Sequence, residues 1–103
     1  MSPVRISLMY KTELPELMER FELPQENPCP YKVGQEWTSI DAEKPDGLCT
    51  HAWSSLYPYV FALANGASHL FDSWMIDPNS AMVSCPDGFR PVSFLLERME
   101  TEE

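Results

Sequence analysis

The chain has 103 residues, 44% hydrophobic and 12% aromatic, with 7 Lys and Arg against 16 Asp and Glu, a net charge of −9 with both His neutral. This is one small domain whose large apolar side chains suffice for a core, which argues against intrinsic disorder. The acidic balance and the lack of a Lys/Arg cluster remove the counterion-release term that drives nucleic-acid binding, so DNA, RNA and anionic membrane are not expected partners. No apolar run approaches the ~20 residues of a membrane span, and the opening MSPVRISLMYK lacks a signal peptide's apolar stretch, so the sequence reads as cytoplasmic.

Val4, Ile6, Leu8 and Tyr10 alternate with Arg5, Ser7 and Met9, the period-2 pattern of a strand with one face on a core. Leu14, Leu17, Met18 and Phe21 then recur at helical spacing and predict a short amphipathic helix, with Thr12 as its cap, Pro15 in its first turn and Pro24 beyond its end. The PQENPCPY run at 24–31 is a stiff extended loop holding Cys29 between Pro28 and Pro30. Gln35 to Ile40 reads as a second strand carrying Trp37, and 41–47 as a polar loop delivering the chain to Cys49.

Thr50 is expected to cap a helix through His51, Ala52, Trp53 and Leu56, and Pro58 predicts a break. Two helical pieces follow, the second from Tyr59 to Ala64, buried and stopped by Asn65-Gly66. Residues 67–80 lack a clear period and read as a lid-like loop or short helical turn. Ala81 to Cys85 and Arg90 to Met99 predict a C-terminal hairpin closed by a three-residue Pro86-Asp87-Gly88 turn with Gly88 at positive φ. Residues 100–103 read as a frayed acidic tail. The whole is a single α+β domain over 1–103, order β-α-β-α-β-β, with a four-stranded sheet packed by two helices.

The segments CP at 29–30, VGQEW at 33–37, PDGLC at 45–49, AW at 52–53, YPYVFALANG at 57–66, Trp74 and CPDGFRPVSF at 85–94 together resemble a small family of uncharacterised bacterial and fungal proteins of about this whole length. The resemblance spans nearly the entire chain. It implies a shared compact fold and no activity, so it assigns no catalytic residue. His51 and the 67–80 segment depart from the family's pattern, which leaves a shared substrate open.

Cys29, Cys49 and Cys85 are an odd number at wide spacing, the mark of free thiols rather than a disulfide framework. Cys49 stands just before a helix start, where free N–H groups favour a thiolate, and His51 is near enough to be its base. Residues i and i+2 diverge on a regular helix, so only an irregular turn joins them; otherwise Cys49 is a small buried hydrophobe. Convergence of the three cysteines with His51 or His69 would make a thiolate metal site for zinc or Cu(I), although no short C-x-x-C pair supports it.

Glu36, beside Trp37, and Asp87, near Arg90, are the carboxylates best suited to proton transfer; as alternatives they are an outward strand residue and a turn former. Trp37, Trp53, Tyr57, Tyr59, Phe61, Phe71 and Trp74 form either core or an aromatic pocket under the 67–80 segment. No P-loop, dinucleotide fingerprint or H-E-x-x-H occurs, so no cofactor is expected. The reading that uses most of these residues is a small cofactor-independent lyase, isomerase or cyclase acting on an apolar or aromatic metabolite. In it His51, His69, Glu36 or Asp87 moves protons, Tyr57 or Tyr59 donates to an oxyanion, and Arg90 holds a carboxylate or enolate. The alternatives are a Cys/His metal-binding protein and a non-catalytic homodimer joined through an edge strand such as Val4 to Tyr10.

Overall fold

Six elements follow in the expected order: β1 (Val4–Lys11), α1 (Pro15–Phe21), β2 (Glu36–Ser39), α2 (Thr50–Ala64), β3 (Ser80–Ser84) and β4 (Val92–Arg98). They are seen in a computed structural model that describes residues 1–100. Of the acidic tail expected at 100–103, only the exposed Glu100 falls within the described residues. The strands form one antiparallel sheet in the order β2-β1-β4-β3. The fold is α+β, and β3 and β4 form the C-terminal hairpin.

The period-2 alternation of β1 and β4 decides which face is buried. Val4, Ile6 and Leu8 with Val92, Phe94 and Leu96 turn towards α2, each nearly or fully excluded from solvent. Arg5 and Glu97 face each other on the open side, with a guanidinium-to-carboxylate distance of 3.1 Å. Met9 bulges out of the β1–β4 ladder and slips the register by one residue. Tyr10 therefore sits opposite Ser93 on the open face, 64% exposed, and not on the core face that strict alternation assigned it. Because β1 lies between β2 and β4, it is not the dimerising edge strand anticipated from its pattern.

α2 is one helix, not two. Ala52, Leu56, Val60, Leu63 and Ala64 make a single buried stripe that spans Pro58. The proline is exposed, so the carbonyl it leaves without a helical donor faces water, while Leu56 and Val60 anchor the chain on either side. Only that stripe is buried: Tyr57 and Phe61 lie outward and stack in a row with Trp53, at centroid distances of 5.4 and 6.0 Å. Asn65-Gly66 stops the helix as expected, with Gly66 at φ 92, its N–H donating to Leu63 O at 3.0 Å and Ala67 N–H to Ala62 O at 2.9 Å.

Three other local expectations are corrected. The N-cap of α2 is Cys49 and that of α1 is Leu14, neither with a side-chain cap, and Thr12 instead donates its N–H to Pro91 O at 2.9 Å, prolonging the β1–β4 ladder. None of the residues of α1 is buried; seven residues placed beyond the sheet's end leave Leu17 and Phe21 in solvent. The hairpin closes through a loop from Cys85 to Pro91, and Gly88 does not adopt a positive φ, because Asp87 organises the turn with its side chain.

Two substitutions test this packing. Leu56→Ala should lower unfolding stability by about 2–5 kcal/mol, as expected for a fully buried leucine. Pro58→Ala should raise it by about 1–2 kcal/mol, because a helix hydrogen bond is restored and only part of that gain is offset by greater freedom of the unfolded chain. Urea denaturation monitored by circular dichroism checks both.

Candidate functional site

Where the β1–β4 ladder ends, a cavity of about 430 Å³ opens between that end of the sheet, the start of α2 and the Pro-rich loop. All three cysteines line it, together with His51, Asp87 and Arg90. Its apolar wall is supplied by Ala52, Val92 and Phe94.

The Pro-rich wall is tied to the sheet by the last residue of β1. Lys11 Nζ donates to the carbonyls of Cys29 at 3.3 Å and Tyr31 at 2.9 Å, while the Cys29 N–H donates to Asn27 Oδ1 at 2.9 Å. The Tyr31 hydroxyl donates to Gly47 O at 2.6 Å and its ring meets Trp37 edge-on at 5.0 Å. Burial raises the Tyr31 pKa above its ordinary 10.0, the charge of an ionised Cys49 raises it further, and the Cys49 backbone N–H works in the opposite direction.

Cys49 precedes α2 with φ −58 and ψ 132, outside helical values, while its carbonyl already accepts the Trp53 N–H at 2.9 Å. That is the ordinary geometry of a residue preceding a helix, with Thr50 and His51 already in α2, so the two side chains are brought together only in that both line the cavity. Cys49 makes no side-chain capping hydrogen bond to the first N–H groups of α2. Across the cavity, the Val92 N–H donates to Cys85 Sγ at 3.3 Å.

Asp87 accepts the N–H groups of Phe89 at 2.8 Å and Arg90 at 3.0 Å through one oxygen, so it serves the turn as well as lining the cavity. Arg90 is 4% exposed and pairs with Glu22 of the segment after α1 at 2.9 Å. That hydrogen bond lowers the Glu22 pKa from its ordinary 4.5, with a second from Gln25, and raises that of Arg90. The pair joins α1 to the cavity wall.

The remaining candidates are dispersed. Glu36 is exposed on β2, the outward strand position, while its neighbour Trp37 is buried against Phe94. His69 lines a separate, shallower cavity with Phe71, Asp72 and Trp74, and no residue of 67–80 reaches the thiol-lined one. The aromatic pocket expected under that segment is not assembled. Trp53 and Tyr57 belong to the outer row of α2, Tyr59 packs on Phe71 at 5.6 Å, and Trp74 is 82% exposed. The sequence reading missed Tyr31 and Glu22; the repeated Cys-Pro step at 29–30 and 85–86 was the available sign that these two loops share a site.

Comparison with protein-family models, with curated proteins and with solved structures finds no match to this chain.

The Glu22–Arg90 pair generates a pH prediction. A carboxylate whose folded pKa is lowered stabilises the fold fully above its unfolded pKa, and that contribution is lost as pH falls through the folded value. Glu22→Gln should therefore unfold at a lower midpoint than wild type at neutral pH, with the gap closing as pH drops below 4.5. Thermal unfolding of both proteins across pH 3 to 7, a range of roughly four units around the carboxylate pKa, checks this.

Proposed function

We propose that the chain binds an apolar or aromatic small molecule in the thiol-lined cavity and acts on it, without a cofactor, by general acid–base chemistry of the lyase, isomerase or cyclase type. The observation that carries this reading is the convergence of Cys49, His51, Asp87 and Arg90, from two distant stretches of chain, on one cavity with an apolar wall. Such a site shields a ligand from water on one side and offers it proton-transfer groups on the other. Cys49 and His51 are the proton movers. The uncapped N–H groups at the start of α2, beside the cavity residues Cys49 and His51, would take the oxyanion-stabilising role expected of Tyr57 or Tyr59. Arg90 supplies positive charge to the wall, with one guanidinium nitrogen engaged by Glu22.

The test is ligand binding followed by turnover. A panel of aromatic carboxylic acids and phenols, screened by amide chemical shifts, should perturb residues 29–31, 49–52 and 85–92. A panel that perturbs none of them, or only 69–74, would overturn the assignment. With a substrate found, His51→Ala and Cys49→Ser should each lower the rate roughly 10²–10⁴-fold while leaving the unfolding midpoint unchanged.

A further inference from the structure

We propose that the same cavity captures a soft monovalent cation, Cu(I), through its cysteine thiolates. Acid–base chemistry gives no reason for three thiols, yet every cysteine of the chain lines this one cavity, each partly buried and none in a disulfide. The thiols come from three segments, so sequence proximity does not explain why they line one cavity. Sulfur ligands select soft ions over hard ones.

Four further features fit this occupant. Cys29 is held between two prolines and Cys49 at a helix start, which limits the reorganisation needed for binding. Cys85 Sγ accepts the Val92 N–H at 3.3 Å, which fixes the position of the sulfur on the cavity wall. Ala52, Val92 and Phe94 make an apolar wall that favours a weakly hydrated ion. The chain's net charge of −9 attracts cations.

Among the described residues, no three His, Cys, Asp or Glu side chains stand close enough to share one ion. Tetrahedral zinc needs four ligands. A d¹⁰ monovalent ion is satisfied by two thiolates in a line, with the third cysteine available for exchange. The step balances without an oxidant or reductant: two S–H bonds break, two S–Cu bonds form, two protons leave, and copper stays Cu(I). Thiolates rather than proton transfer carry this inference, so it does not rest on the acid–base reading, and its test uses no turnover.

The reduced 103-residue chain is titrated anaerobically against the coloured Cu(I)–bicinchoninate complex. Wild type should withdraw one equivalent of Cu(I) per chain, and the Cys29→Ser, Cys49→Ser, Cys85→Ser triple variant none. Alkylation of wild type with mass mapping should show that one equivalent protects two of the three thiols, a readout independent of whether the variant folds. No withdrawal by wild type, withdrawal by a folded triple variant, several ions per chain, or no protected thiol would each overturn the proposal.

Discussion

The antiparallel pairing of β1 with β4 is the interaction on which the rest of this structure depends. It joins residues near opposite ends of the sequence, from Val4 opposite Arg98 to Lys11 opposite Val92, and so closes a loop that takes in most of the chain. Such a contact is entropically costly to form and must be supported by what it organises. Here that support is a continuous apolar face of six alternate side chains, onto which α2 lays its stripe from Ala52 to Ala64. Each large side chain buried there contributes on the order of 1.5–3 kcal/mol. β2 and β3 then pair on the outer sides of β1 and β4.

The cavity inherits its position from the end of this ladder. Lys11, the last residue of β1, holds the Pro-rich loop through two carbonyls, and Val92, the first residue of β4, holds the Cys85 sulfur. Phe94 links the two layers: it lines the cavity and packs on Trp37, which in turn supports Tyr31. The wall bearing Cys49 and His51 is the start of α2, fixed by the same buried stripe. One wall is thus rigid sheet and helix, while the other is a loop made stiff by proline. Polar satisfaction is complete around this frame, since among the described residues no buried side-chain nitrogen or oxygen lacks a partner.

Much of the fold was legible because local periodicity and burial agree. The alternation in β1 and β4, the turn chemistry at Asn65-Gly66 and the proline content of 24–31 each constrain the backbone within a few residues. Legibility failed where a local preference met a stronger nonlocal one. Pro58 disfavours a helix on its own, yet buried contacts on both sides carry α2 through it. Leu17 and Phe21 have the spacing of a core-facing stripe, yet nothing in the described residues buries them, because their helix lies past the end of the sheet. The Met9 bulge left no mark in the hydrophobic pattern and changed the face of Tyr10.

For the candidate site the division is sharper. Sequence alone determined which groups could do chemistry, three free thiols, two histidines and one arginine in a turn, and that Cys49 stands at a helix start, because these depend on residue type and near neighbours. Only the tertiary structure decided that Cys29, Cys49 and Cys85 share a cavity with His51 while Glu36 and His69 lie elsewhere. Cys29, Cys49 and Cys85 are separated by 20 and 36 residues, and no local preference acts over such distances. Their place on one cavity follows from the β1–β4 pairing and the direction in which α2 crosses the sheet, and both are settled by burial of the chain as a whole.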